Sequence, residues 1–380
     1  MTADLQTLLS QLVAIDSTNP DLVPEGKGEG EISLFVERWF QDQGIPAERQ
    51  QVAPGRYNVI ARVLGTGNGR SLLLNAHLDV VGTAGMQNPF VPRIENGRLY
   101  GRGAYDMKGG LAACMVALLK ARDLQLAGDV ILTAVADEEY ASIGMQHALK
   151  TISADAAIVT EPTELALCIA HKGFTWHEIT TTGKAAHGSR PDLGTDAIAH
   201  MGRVLGKIEQ WQQDLQARPA HPLLGHGSVH ASLIQGGQEL SSYPEKCVLQ
   251  IERRTLPHEE VPQIEAELQA LLFELSHADA SFAVQHQTTL HRPGFEVPAE
   301  APIVQVVLQE ATQVLQHPPA LQGMTFWMES ALLQQAGIPA VVFGPSGAGA
   351  HATEEWVELE SVQQCCEVLV RSIRAFCQSV

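Results

Sequence analysis

Hydrophobic and polar positions along the chain fall into two textures. In the first part, short apolar runs alternate with amphipathic stretches. "YNVIARVLG", "SLLLNAHLDV", "DVILTAVAD" and "DAAIVTEP" predict strands, and "GGLAACMVALLKARDLQ" and "SIGMQHALKTI" predict helices between them. Continuous apolar strands separated by helices imply a mostly parallel sheet covered on both faces. The opening "MTADLQTLLSQLVAIDSTNP" places Leu5, Leu8, Leu9, Leu12 and Val13 on one helical face and stops before Pro20. From about Phe174 the pattern changes to period two. "FTWHEITTTGKAAHGS", "ASLIQGG" and "CVLQIERRTL" read as half-exposed antiparallel strands, and "GTDAIAHMGRVLGKIEQWQQDL" and "VPQIEAELQALLFEL" as helices. After about Leu290, "PIVQVVLQEATQVL", "MESALLQQAG" and "IPAVVFGP" return to the buried style, and "LESVQQCCEVLVRSIRAFC" forms a last helix. The expected organisation is an α/β domain over residues 1–173 and 291–380, interrupted by a smaller α+β module over 174–290.

Composition narrows the partners. The chain has 380 residues and a formal net charge of −18, which repels phosphate backbones and anionic lipid and argues against nucleic acid and membrane partners. The first residues lack a basic leader and carry Asp4, unlike a signal peptide. Six scattered cysteines without a CxxC pair suit a reducing cytoplasm.

Polar residues gather where apolar strands end. In "SLLLNAHLDVVG", His77 and Asp79 are two apart and share a face. Asp79 is therefore expected to take the ring N–H of His77 and leave the other nitrogen for a metal. A histidine capped by aspartate at a surface turn gives the same pair. The pattern repeats, however: Asp106 in "GRGAYDMKGG", Asp137, Glu138 and Glu139 in "ADEEYASIG", Glu161 in "TEPT" and His351 in "GAGAHATEEW". The carboxyl ends of parallel strands are where open α/β sheets bind ligands. Imidazoles with carboxylates suit Zn2+, with Co2+ or Mn2+ as alternatives. Two divalent ions would offset the crowded acids.

These segments together resemble the co-catalytic two-zinc amidohydrolase and metallopeptidase family, over nearly the whole chain. Its members include acetylornithine deacetylase, succinyl-diaminopimelate desuccinylase, aminoacylase and a glutamate-releasing carboxypeptidase. The resemblance implies that His77 and Glu161 hold one ion, Glu139 and His351 the other, and Asp106 bridges them. It gives Asp79 the role of supporting His77 and implies a cis peptide at Asp106–Met107. It selects Glu138 as general base, although adjacency alone leaves Asp137 or Glu139 open. It gives the inserted module a lid or dimerisation role, with a homodimer expected. His187 would help stabilise the oxyanion, in its own or the neighbouring subunit. Arg254 would grip a substrate carboxylate, while Arg253 alternates to the other face and is expected to be solvated. Without the resemblance, His187 reads as a surface histidine before a helix.

The implied activity is hydrolysis of the amide of an N-acyl amino acid, acetylornithine first. A succinylated diamino acid or a dipeptide is the runner-up. A non-catalytic metal-binding protein on the same fold would be expected to lose the base, yet Glu138 is present. An aminopeptidase would have less need of Arg254. His221, His226 and His230 in "HPLLGHGSVH" are expected to be a loop rather than another metal site. Relatives often carry Asp where Glu329 stands, so Glu329 is expected to bear on the substrate pocket.

Overall fold

Leu72–His77 is buried at every position, because parallel neighbours flank it on both sides. It pairs with Val130–Val135 and Ala156–Val159, with His77 level with Val135 and Asn75 level with Val159. In the middle of a covered sheet there is no solvent face, so both parities of the strand are apolar. The computed structural model describes residues 3–83 and 85–378. Its chain forms two units: Met1–Ile169 with Val297–Gln322 and Met328–Val380, and Ala170–Glu296 with Gly323–Trp327. The divisions fall at 169/170 and 296/297 rather than at 173/174 and 290/291, and the short 323–327 segment joins the second unit.

The main sheet has its strands in the order Ala47–Ala53, Arg56–Val63, Val130–Val135, Leu72–His77, Ala156–Val159, Ala340–Val342 and Leu167–His171, all within the first unit but for Ala170 and His171. The middle four run parallel, and the flanking pairs are antiparallel. Helices Gly109–Ala121 and Leu359–Cys377 pack together over this sheet. The latter buries Val362, Cys365, Cys366, Leu369, Ile373 and Phe376, the spacing of a core-facing helical stripe. Each fully buried aliphatic side chain there contributes about 1.5–3 kcal/mol; truncating Leu369 to Ala would cost about 2–5 kcal/mol. The first helix, Ala3–Val13, buries the five apolar residues expected of it. Helix Gly30–Asp42 and strand Ala47–Ala53 were not anticipated from the sequence.

The second unit is a four-stranded antiparallel sheet in the order Ser228–Gly236, Lys246–Thr255, Gly173–Thr182, Ala283–Arg292. Helices Ala197–Ala217 and Val261–Ala278 contribute to its core, where Met201, Val204, Trp211 and Leu268 meet Ile179, Leu249 and Ile251. Asp196 caps the first helix by accepting from the Ala199 N–H at 2.9 Å, a contact worth about 1 kcal/mol. Strand Ala283–Arg292 escaped the sequence reading because "AVQHQTTLHR" offers little apolar alternation. Arg253 is not solvated as expected. Its side chain is buried, with Nη2 donating to Glu259 and Nη1 to the Arg254 carbonyl. The cause is parity: Cys247, Leu249, Ile251 and Arg253 all lie on the buried face of their strand.

Candidate metal centre

Because the central strands are parallel, their carboxyl ends open on one edge of the sheet. His77 is the last residue of its strand. Glu138 and Glu139 follow Val130–Val135 by three and four residues, and Glu161 follows Ala156–Val159 by two. Asp106 comes from a kinked turn, Ala104–Lys108, before helix Gly109–Ala121. Its peptide bond to Met107 is cis, as the resemblance implies. Gly110 lets that helix approach the strand end: a Cβ there would lie 2.2 Å from the Thr160 carbonyl oxygen.

These residues converge. His77 Nε2 lies 3.2 Å from Asp106 Oδ1 and 3.6 Å from Glu161 Oε1. His351 Nε2 lies 3.3 Å from Asp106 Oδ2 and 3.2 Å from Glu139 Oε2. Asp106 thus faces one imidazole with each oxygen. Ligand atoms of His77, Glu138 and Glu161 all fall within 4.8 Å of one another, as do those of His77, Asp106 and Glu139. Among the described residues these are the only such groupings. His221, His226 and His230 do not join one. His221 instead meets Glu296 at 3.1 Å, and His230 lies on strand Ser228–Gly236.

The electrostatics are those of a site built for cations. Burial pushes the Glu138 and Glu161 carboxyls well above the usual carboxylate range; nearby Glu161 raises Glu138 further, and Asp106 and Glu139 raise Glu161. Glu139 is pushed up to about 7 by burial and by Asp106. Burial also works to raise Asp106, but hydrogen bonds from His351 and His77 hold it below its ordinary value. His351 is raised to about 10 by its bonds to Asp106 and Glu139. For His77, burial works downward and is overcome by Glu161 and Asp106. Glu139 Oε1 is buried without a hydrogen-bond partner among the described residues. A free carboxylate oxygen among crowded acids and imidazoles fits a bound cation.

Asp79 acts differently from the sequence expectation. The ring nitrogen His77 Nδ1 meets the Asp79 backbone carbonyl at 2.9 Å, while the nearest Asp79 carboxylate oxygen is 3.7 Å away. That carboxylate instead accepts the Glu138 N–H at 3.1 Å, the Glu139 N–H at 3.2 Å and Asn19 Nδ2 at 2.8 Å. Asn19 Nδ2 also donates to Asp137 Oδ1 at 2.9 Å. Asp137 meets Arg56 at 3.0 Å, and Arg56 grips Glu29 through two bonds of 2.6 and 2.7 Å. Of this buried network only Asp137, two residues beyond Val130–Val135, is singled out by the strand-end pattern. Asn19, Glu29 and Arg56 follow no apolar strand, and each finds its partners only through folding.

Glu329 is buried, its Oε2 accepts from Asn75 Nδ2 at 2.8 Å, and burial pushes it up to about 8. Its charge in turn works to raise Glu138 and Glu161. His187 and Arg254 belong to the second unit. His187 is exposed, with Nδ1 2.8 Å from Ser189 Oγ. Arg254 is half-buried. Glu252 accepts from its Nε at 2.7 Å, and its guanidinium lies 5.0 Å over Phe174.

A model of peptidase family M20/M25/M40 matches residues 73–375. An acetylornithine deacetylase from Myxococcus xanthus is 31% identical over 98% of this chain and 97% of its own length. N-formyl-4-amino-5-aminomethyl-2-methylpyrimidine deformylase from Bacillus subtilis (strain 168) is 26% identical over 98% of this chain and 95% of its own. Among solved structures, the Bacillus subtilis YXEP protein, described as a dinuclear metal binding peptidase from the M20 family, superposes with a TM-score of 0.75 at 15% identity. That superposition covers 99% of this chain and 98% of that one. No helix among the described residues is long and apolar enough to cross a membrane.

Proposed function

We propose, for a chain that belongs to peptidase family M20/M25/M40 and is therefore a metallo-hydrolase acting on amide bonds, that its substrate is an N-acyl amino acid, N-acetylornithine first. The hydrolytic chemistry is carried by the convergence of His77, Asp106, Glu139, Glu161 and His351 around a buried Glu139 oxygen unpartnered among the described residues; the choice of substrate is supported by the likeness to acetylornithine deacetylases. His77 and Glu161 would hold one divalent ion and Glu139 and His351 the other, with Asp106 shared. Zn2+ is the first candidate, ahead of Co2+ and Mn2+. Such a pair, when bound, lowers the pKa of water and polarises an amide carbonyl.

Glu138 is the general base. Its ligand-capable oxygen lies inside the cluster, and its backbone is pinned by Asp79. It takes a proton from the attacking water and delivers it to the departing nitrogen, so that the amide C–N bond breaks to a carboxylate and a free amine. Arg254 is assigned the substrate carboxylate. Glu252 fixes its Nε, and its two terminal nitrogens carry no hydrogen bond among the described residues, which suits a two-pronged grip. His187 is assigned to the oxyanion on the strength of the family resemblance. The six cysteines are free and buried, which supports a reducing, cytoplasmic setting.

The second unit is assigned as a dimerisation module. Strand Ser228–Gly236 is an edge strand that leaves Leu233 and Ile234 exposed by 66% and 56%. An exposed edge of this kind pairs readily with another strand, and a second copy can pair with it isologously. Light scattering should return twice the chain mass, and Leu233→Lys with Ile234→Lys should shift it to a monomer; a monomeric wild type removes the assignment.

The substrate is tested by a hydrolysis screen with Zn2+, Co2+ and Mn2+. It should span N-acetyl, N-succinyl and N-formyl amino acids and dipeptides. N-acetylornithine should give the highest kcat/KM. Preferred cleavage of succinylated substrates or dipeptides would move the assignment to the runner-up, and turnover of none of them would remove it.

A further inference from the structure

We infer that Glu355 is a positioning residue of the metal centre, fixing the backbone of Asp106 and tying the His351 loop to it. The inference rests on the two-cation reading above. Glu355 follows His351 by four residues and is buried. Its Oε1 accepts the Tyr105 N–H at 2.9 Å and the Asp106 N–H at 3.0 Å. Its Oε2 accepts the Gly103 N–H at 3.0 Å and Arg102 Nη1 at 2.7 Å. Successive backbone N–H groups curled around one point form an anion-binding concavity. Here the anion is a side chain of the same molecule, and one of the donors is the main chain of the shared ligand, Asp106.

The other half of the link runs through Arg102. Its Nη2 donates to the Ala352 carbonyl, next to His351, at 2.8 Å, and the Gly101 N–H donates to the Glu355 carbonyl at 3.1 Å. The loop between is closed tightly at Gly349, where φ is +86° and a Cβ would lie 1.9 Å from the Glu354 carbonyl oxygen. His351 itself is 57% exposed and sits at φ 62°, so little packing holds it. Its place is set by this loop, and the loop is set by Arg102 and Glu355. One carboxylate therefore fixes the spacing between Asp106 and His351.

Glu355→Gln separates this role from general stabilisation. The amide keeps the shape but accepts at one oxygen only. The Arg102 charge draws that oxygen to its side, leaving the NH2 against the Tyr105 and Asp106 N–H groups. Full-length protein, stripped by chelation, is titrated with Zn2+ by calorimetry and with Co2+ by visible absorption, alongside circular dichroism. A folded Glu355→Gln protein is expected to bind the ion held by Glu139 and His351 at least ten-fold more weakly, with a changed Co2+ spectrum and partial recovery of kcat at high metal. A folded variant with wild-type stoichiometry, affinities within two-fold and an unchanged spectrum overturns the inference. If Glu355→Gln does not fold, Arg102→Lys decides. It keeps a charge beside Glu355 but gives up the bond to Ala352: ten-fold weaker binding of one ion supports the inference, and unchanged binding overturns it. A wild type that binds no divalent cation overturns the two-cation reading, and this inference with it, whereas two ions bound equally by wild type and variant overturn only the latter.

Discussion

Replacing Asp79 with Asn tests how Glu138, the proposed base, is held. The substitution leaves the backbone carbonyl that meets His77 Nδ1 untouched. It alters the carboxylate that accepts the Glu138 N–H, the Glu139 N–H and Asn19 Nδ2. An amide oxygen can replace only one carboxylate oxygen. It will take the Oδ2 place, where Glu139 and Asn19 both donate, and set its NH2 against the Glu138 N–H. An orphaned buried N–H costs about 1–3 kcal/mol, so the melting temperature should fall by a few degrees. A displacement of the base by about 1 Å costs about 100-fold in rate. The assay is steady-state hydrolysis of an N-acetyl amino acid at saturating metal, with metal content measured by mass spectrometry. The expected result is kcat down about 100-fold with both ions retained. Loss of an ion with little change in kcat at saturating metal would show that Asp79 works through His77 instead. An unchanged rate and melting temperature would refute both roles.

The other predictions concern base, metal, network and acid stability. Glu138→Gln should keep its metal content and lose about 100- to 10,000-fold in kcat; activity near wild type would move the base elsewhere. Chelation should abolish hydrolysis and lower the melting temperature, and added Zn2+ should restore both; activity that survives complete metal removal contradicts the metal requirement. Arg56→Met leaves Glu29 and Asp137 buried without their cation, which should cost about 3–5 kcal/mol by denaturant titration; a loss below about 1 kcal/mol would mean the network relaxes. His177, between Thr175 Oγ1 at 2.8 Å and Thr288 Oγ1 at 3.2 Å, is lowered to about 4 by burial and by His286. The unfolded chain therefore binds more protons than the folded one between about pH 6.5 and 4, so stability falls as pH drops through that window, by roughly 2–3 kcal/mol. His177→Gln should flatten that slope, and an unchanged slope assigns the acid sensitivity to other groups.

Much of this was legible in the chain because burial and chemistry coincide at strand ends. An apolar run such as Leu72–Leu74 announces a covered strand, and the first polar residues after it mark the edge where ligands gather. His77, Glu139 and Glu161 follow that rule. Asp106 and His351 sit in glycine-rich loops beyond the same sheet edge; the family resemblance supplied their places as shared and second-ion ligands. Asn19, Glu29 and Arg56 were illegible because a polar residue in a loop or at the start of a strand looks solvated until folding supplies its partner; Arg56 and Glu29 are 27 residues apart. Glu355 was hidden in the same way, directly after the exposed run His351 to Glu354. Arg253 was misread although its signal was present. It shares parity with Cys247, Leu249 and Ile251, so the face opposite Arg254 is the core face rather than the solvent face. For Asp79, strand periodicity placed the residue correctly beside His77 but could not say whether backbone or side chain makes the bond.

Anomalous diffraction from crystals grown with Zn2+, recorded on both sides of the zinc edge, tests the central claim most directly. Two peaks per chain are expected, one between His77, Asp106 and Glu161 and one between Asp106, Glu139 and His351. A single peak, or zinc bound away from these five side chains, would contradict the account.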